Sequence, residues 1–309
     1  MIVTLTINPA IDRNITVDRL AFEDRAYILD QSESAGGRGI NAAKVIHSFG
    51  GDPLAILTSG GDSGRRLEEH LSHLGFRTVV VPIANEIRTN LTITDRQGLT
   101  VNLNEAGPHI SKPEVRRLEE SVEANLKGAQ WFLIAGSIPP GVPPDFYGKL
   151  VGMARRHKVK TLLDADGEAL RAGIEAGPTV VSPNQQEAER LLNRALLTRS
   201  HFLEAAERIR AMGAETVVLS LGSRGAVGAF PSGLVEALAP RIDAVSPIGA
   251  GDALAAAFAW ALSRRHSYEE ALRWGVATGT ASTRLPGMRF ASLAQAQEIF
   301  PRVEMRRVE

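Results

Sequence analysis

Apolar positions along this chain follow two rhythms that take turns. Short, largely β-branched runs have the length and continuity of buried strands: Ile2–Ile7, Leu54–Thr58, Thr78–Val81, Trp131–Ala135, Val159–Leu163, Thr179–Val181 and Thr216–Ser220. Longer stretches with helical spacing separate them: Ile40–Phe49, Gly64–Leu74, Pro113–Leu126, Asp145–His157, Gln185–Leu192 and Phe202–Met212. Several helix starts are marked, by Ser111 with Glu114, by Ser200 as a cap, and by Ser267 with Glu270. Strand and helix alternating over short connections predict an α/β three-layer sandwich with a mostly parallel central sheet.

Two segments, about 11–34 and 87–104, break that rhythm with alternating, half-polar strands. Between Leu91/Ile93 and Leu99/Val101/Leu103 the sequence Asp95-Arg96-Gln97-Gly98 predicts a hairpin turn. Strands polar on one face do not suit the middle of a parallel sheet, so these segments predict a small β-sheet lid or a dimer surface. No linker, low-complexity tract or repeat divides the chain, and residues 1–309 read as a single domain carrying this lid.

Composition narrows the chemistry. The chain has no cysteine, which excludes disulfides, thiol nucleophiles, iron–sulfur clusters and Cys-ligated zinc. Lys+Arg and Asp+Glu are equal at 35 each, and no basic stretch stands out, so no nucleic-acid partner is expected. The apolar start lacks the basic flank of a signal peptide, and the longest apolar run, Ala253–Leu262, is too short to span a membrane. The expectation is a cytoplasmic protein with no membrane partner. His70 and His73 lie three apart on a predicted helix without further ligands at metal-site spacing, and read as a solvated face.

Two glycine clusters carry the candidate chemistry. In Ser246-Pro-Ile-Gly-Ala-Gly-Asp252 the N–H groups of Gly249, Ala250 and Gly251 open an alanine-rich helix, where unpaired donors and the helix dipole favour a phosphate. Asp252 beside a phosphate fits a general base that takes a proton from an attacking hydroxyl; the plain alternative is an N-terminal Asp stabilising the dipole. The other cluster, Ala35-Gly-Gly-Arg-Gly-Ile-Asn41, contains a literal dinucleotide fingerprint. It follows Asp30-Gln-Ser-Glu-Ser34 rather than a buried apolar strand, which argues against a nicotinamide dehydrogenase. There is no GxxxxGK[ST] phosphate loop.

Gly36-Gly-Arg-Gly-Ile-Asn41 with Gly50, and Gly249-Ala-Gly-Asp252, resemble the two signatures of the ribokinase-like (PfkB-type) carbohydrate kinases. Asn8-Pro-Ala-Ile-Asp12, Gly136-Ser-Ile-Pro-Pro-Gly141, Pro183-Asn-Gln-Gln-Glu187 and Ser220-Leu-Gly-Ser-Arg-Gly225 follow in the family's order, so the resemblance covers essentially the whole chain. Asp166-Gly-Glu-Ala-Leu170 with Asn193-Arg-Ala-Leu196 is most similar to the phosphofructokinase/tagatose-6-phosphate kinase branch, and there to minor-type 6-phosphofructokinases.

The resemblance implies ATP and Mg2+ as cofactors. It gives Asp252 the role of catalytic base and Gly249, Ala250 and Gly251 that of an anion hole. Asn184 and Glu187 match an Asn-x-x-Glu element whose Glu positions magnesium; by themselves they also read as an acidic helix start. Ser220, Gly222 and Gly225 match the loop at the nucleotide phosphates and ribose, and Ala277, Gly279 and Ser282 a helix flanking the adenine or packing plainly on the sheet. Asp12, Gly37, Gly39 and Asn41 match the sugar-side wall. Arg88, Arg38 and Arg25 are the cations for the substrate's own phosphate, Arg25 reaching across a dimer, and each is otherwise a surface Arg. Ser137 lines the same pocket or serves a turn.

The expected activity is ATP-dependent phosphorylation of fructose 6-phosphate at its C1 hydroxyl, by a homodimer joined through the lid. Fructose 1-phosphate or tagatose 6-phosphate as substrate stays open, as does a non-catalytic sugar-phosphate sensor on the same fold. The chain departs from the family pattern at Pro247, where many members have Thr, and at Ser246, where others have Asp or Asn.

Overall fold

The computed structural model describes residues 1–21 and 23–308. The chain enters on β1 (Ile2–Thr6), leaves the main sheet for β2 (Ala10–Val17) and β3 (Ile28–Gly36), and returns through α1 (Arg38–Ser48) to β4 (Pro53–Ser59). Next, α2 (Gly61–Ser72) leads to β5 (Arg77–Pro82), followed by a second excursion, β6 (Arg88–Asp95) and β7 (Thr100–Asn104). Regular alternation follows through α3 (Lys112–Leu126), β8 (Trp131–Ala135), α4 (Phe146–Arg156), β9 (Lys160–Asp164) and α5 (Gly167–Glu175). It continues with β10 (Val180–Val181), α6 (Gln185–Leu192), α7 (Arg199–Ala211) and β11 (Thr216–Ser220). The last part comprises β12 (Ala226–Phe230), β13 (Gly233–Leu238), α8 (Ala250–Ser263), α9 (Tyr268–Ser282), α10 (Leu293–Ile299) and β14 (Glu304–Arg307).

The ten-stranded sheet has the order β14-β13-β12-β11-β10-β9-β8-β1-β4-β5. It is parallel from β11 to β5, and β12, β13 and β14 add an antiparallel edge. Successive strand residues alternate between two cores, as the strand period requires. Phe132 and Ile134 join the layer under α2 to α7, whereas Trp131 and Leu133 join the layer under α1, α8, α9 and α10. The three-layer α/β expectation therefore holds. The strands Trp131–Ala135 and Thr216–Ser220 match their sequence assignments residue for residue.

Two of the three marked caps also hold. Ser111 and Glu114 form a capping box, and Ser267 accepts from the Glu270 N–H. Ser200 is not a cap: α7 starts one residue earlier, at Arg199, and the Thr198 hydroxyl accepts from the His201 N–H at 3.3 Å. No helix among the described residues is long and apolar enough to cross a membrane.

The four-stranded sheet, β3-β2-β6-β7, takes its strands from the two half-polar segments; Phe22, within the first, lies outside the described residues. It is mixed, because β2 and β6 run parallel while the outer pairs are antiparallel. The hairpin turn forms as the sequence predicts, with the Gly98 N–H donating to the Asp95 carbonyl at 3.0 Å. Exposed apolar side chains gather around its two edge strands: Tyr27, Ile28 and Leu29 on one side, Leu99, Val101 and Leu103 on the other.

Candidate active site

The two glycine clusters fold into the N-termini of α1 and α8, and these helix ends meet. Gly249 takes a left-handed conformation (φ 77°), a turn open to glycine at little cost, and caps α8, whose first N–H, that of Ala250, turns back to the Pro247 carbonyl at 3.3 Å. A side chain at Gly251 would meet only open space. Asp252, in that first turn, accepts a 2.7 Å hydrogen bond from the Asn41 side-chain amide of α1. Burial and the nearby Asp164 charge push the Asp252 carboxyl up to about 6, against the opposing pull of Arg38 and of the Asn41 hydrogen bond.

Around Asp12 the sequence builds a wall of polar atoms. Asp12 is buried on β2 and accepts from Asn90 of β6 at 2.9 Å; burial raises its carboxyl, opposed by Asn90, Lys44 and Arg88. Gly36 is required beside it, because any Cβ there would overlap the Asp12 carboxylate. Gly39 allows α1 to approach β1, where a Cβ would run into the Leu5 carbonyl, and Gly37 (φ 126°) turns the chain above Thr6. Four buried polar atoms here have no protein partner: the side-chain carbonyl oxygens of Asn8, Asn41 and Asn90, and Nε of Arg88. Orphaned buried groups of this kind are rare, and three acceptors with one donor suit a ligand rich in hydroxyls.

A cavity of about 780 Å3 opens beside this wall, lined among others by Asn8, Asn90, Arg88, Arg38, Ser137 and Asp166. Asp12, Asn41 and Asp252 do not line it themselves; Asn90, which donates to Asp12, does. Ser137 Oγ accepts from the Asn8 amide at 3.1 Å.

The three arginines assigned to a substrate phosphate part company. Arg88 donates only to the carbonyls of Glu105 and Asn8, at 2.9 and 3.1 Å, and burial lowers its basicity. It forms no ion pair among the described residues, so its charge is available to an anion. Arg38 is engaged instead: its guanidinium spans Asp164 at 2.6 Å and Glu187 at 3.0 Å. Arg25 is exposed in the turn before β3 and does not reach the cavity of its own chain.

Asn184 and Glu187, expected to face the nucleotide, are a reciprocal capping box at the start of α6. Each side chain accepts from the other's backbone N–H at 2.9 Å. Glu187 is also buried, which raises its carboxyl against the opposing pull of Arg38, and its reading as part of a helix start holds. Ser220 ends β11 next to Asn184, and Gly222 (φ 61°) begins an exposed turn with open space at its Cβ position. Gly225 is buried, and a Cβ there would overlap the Ala237 carbonyl, so it closes the turn onto β13. Ala277, Gly279 and Ser282 are packing residues in this structure. Ala277 is fully buried, the Ser282 hydroxyl is taken up by Thr278 and Ala291, and a Cβ at Gly279 would stand 2.9 Å from the Ala250 carbonyl.

Sequence reasoning gave no role to Asn8, Asn90, Asp164 or Lys44. Asp164 carries a readable signal, since it ends β9 at the carboxyl edge of a parallel sheet, where α/β proteins bind ligands. Lys44 lies one turn after Asn41, donates to the Ala35 carbonyl at 2.5 Å, and is pushed down to about 8 by burial, against the pull of Asp12 and Asp252. Glu187 and Asp164 offer the hard oxygen donors a magnesium ion takes, one or two carboxylates with water and phosphate completing the shell. No cluster of three or more His, Asp or Glu suited to a metal occurs among the described residues.

The family model for pfkB family carbohydrate kinases matches residues 2–295. The chain belongs to the pfkB family. Among curated relatives of this kinase, the ATP-dependent 6-phosphofructokinase isozyme 2 of Escherichia coli is 32% identical over 302 residues, covering 97% of each chain. A 1-phosphofructokinase of Vibrio cholerae is 26% identical over 98% of this chain and 96% of its own. Among solved structures, Escherichia coli phosphofructokinase-2 in complex with substrates and products superposes with a TM-score of 0.92 at 32% identity. That match covers 98% of this chain and 99% of the other. Ribokinase of Arabidopsis thaliana, at 20% identity and a TM-score of 0.77 over 97% of this chain and 98% of its own, shares the fold.

Proposed function

We propose that this kinase transfers the γ-phosphoryl group of ATP to the C1 hydroxyl of fructose 6-phosphate, working in the cytoplasm. The observation that carries this reading is the polarity of the sugar site. Arg88, a half-buried cation without a carboxylate partner among the described residues, lines the cavity, and behind its wall Asn41 donates to Asp252. A ligand with a phosphate at one end, hydroxyls along its length and a primary hydroxyl at the other matches this order. The orphaned amide oxygens of Asn8 and Asn90, which line the cavity, take hydroxyl protons along its middle.

Asp252 accepts the proton of the attacking hydroxyl as the new oxygen–phosphorus bond forms and the bond to ADP breaks. With its carboxyl near 6, Asp252 is ionised at neutral pH yet basic enough to act. The N–H groups of Gly249, Ala250 and Gly251 face the charge that develops on the transferring group. Glu187 and Asp164, with the nucleotide phosphates, would hold a magnesium ion, which would supply charge neutralisation.

Fructose 1-phosphate is the second reading. It presents the same phosphate-to-hydroxyl polarity, and the relative from Vibrio cholerae named 1-phosphofructokinase aligns over almost the full chain. ADP release with magnesium-ATP, measured against fructose 6-phosphate, fructose 1-phosphate, tagatose 6-phosphate, fructose and ribose, separates these readings. Preference for a free sugar overturns the role of Arg88, and silence on all five favours the sensor.

The exposed apolar side chains of β3 and β7 belong, in this reading, against a second copy of the chain. Arg25, on the turn before β3, then reaches the partner's sugar site.

A further inference from the structure

Arg38 has a charge environment unlike any other cation in the site. One terminal nitrogen of its guanidinium contacts Asp164 at the end of β9, and the other contacts Glu187 at the start of α6. Asp252 and Asp166 add their fields to the same group. The two carboxylates come from separate elements, and a single planar fork spans both. These are also the oxygens that a magnesium ion would take, and one carboxylate oxygen cannot serve a guanidinium and an inner-sphere cation with full strength at once.

We propose that Arg38 is a built-in competitor of the divalent cation: it occupies Asp164 and Glu187 so that metal enters the site only in company with nucleotide phosphates. Charge accounts for this. Without a cation between them, buried carboxylates converging on one point repel, and Arg38 removes that cost. A free divalent ion gains little there, because it must evict a guanidinium whose charge cannot be shed. A metal–nucleotide complex brings its own oxygen ligands and makes up the difference. Evicted, the guanidinium remains on the wall of the cavity that it shares with Arg88, where a phosphate can receive it.

The inference rests on the kinase reading only for the identity of the nucleotide. Its first test needs no turnover: Mn2+ binding to the nucleotide-free protein, followed by electron paramagnetic resonance, in wild type, Arg38→Met and Arg38→Lys. Arg38→Met is expected to bind Mn2+ at least about tenfold tighter than wild type, with Arg38→Lys between them, because an ammonium cannot span both carboxylates. Equal Mn2+ affinity in wild type and Arg38→Met overturns the proposal.

Should the variants fail to fold, the side-chain N–H resonances of Arg38 in the wild type decide. They are expected to shift when magnesium and a non-hydrolysable ATP analogue are added together, and to stay in place with magnesium alone. A shift of the same size with magnesium alone, or none with the complex, overturns it. Absence of any sugar phosphorylation, with the Mn2+ result as expected, would remove the kinase reading and leave the competition standing.

Discussion

Asn41 and Asp252 are 211 residues apart in sequence and joined by a 2.7 Å hydrogen bond, so the starts of α1 and α8 share one polar contact at the centre of the site. The bond stabilises the ionised carboxylate and opposes the upward push of burial. In the proposed mechanism Asp252 acts as a base only when ionised, so turnover is expected to fall as pH drops through about 6. Asn41→Ala removes a donor to the charged form, and the acid limb of the pH profile should then move to higher pH. A profile of kcat/KM with pH in both proteins checks the direction.

Asp252→Asn should cost at least about a thousandfold in kcat, since base and orientation are lost together. The same substitution should stabilise the fold at pH 8. A carboxyl whose folded value is raised binds its proton more tightly in the native state than in the unfolded chain. Stability from this group therefore declines as pH rises through about 6, and is greatest below the unfolded value. The asparagine lacks that cost, so its Tm should exceed wild type by a few degrees at pH 8 and the gap should close toward pH 4. Thermal scans at the two pH values test it.

Arg88→Met should raise KM for the phosphorylated sugar about ten- to a hundredfold, the worth of hydrogen bonds to a charged group. KM for ATP should change little, because no nucleotide-side residue touches Arg88. Steady-state kinetics with each substrate varied in turn separates the two.

Leu103→Asp places a charge among the exposed apolar residues of β7. Sedimentation velocity should show wild type as a dimer and the variant as a monomer at the same concentration. A wild type that sediments as a monomer removes the proposed interface.

Much of the fold is legible because most main-sheet strands are buried on both faces, and short apolar runs such as Trp131–Ala135, set between helical stretches, read as strands by their length and position. The antiparallel edge is less so. In β12, Ala226-Val-Gly-Ala-Phe230, small residues make room for neighbours, and Gly228 lies against the Phe230 ring, so hydropathy alone does not mark a strand. Within the site, glycines and Asp252 are announced by motif, whereas the partner of a charge is a tertiary fact. Arg38 and Arg88 look alike in sequence, yet only the meeting of β9 and α6 at Asp164 and Glu187 engages one of them. Gly279 shows the converse, since a small residue on a helix suits a ligand and a neighbouring helix equally, and here the helix α8 is in contact.

The close seating of α9 on α8 has a mechanical consequence. A Cβ at Gly275 would stand 3.0 Å from the Leu254 carbonyl and one at Gly279 2.9 Å from that of Ala250, so the two helices approach backbone to backbone at two points one turn apart. Such a pair slides or tilts only as one stiff beam, anchored in the core beneath it. The end of the beam that bears Asp252 therefore resists displacement on its own, and a change of shape at the site would have to come from elements outside the pair.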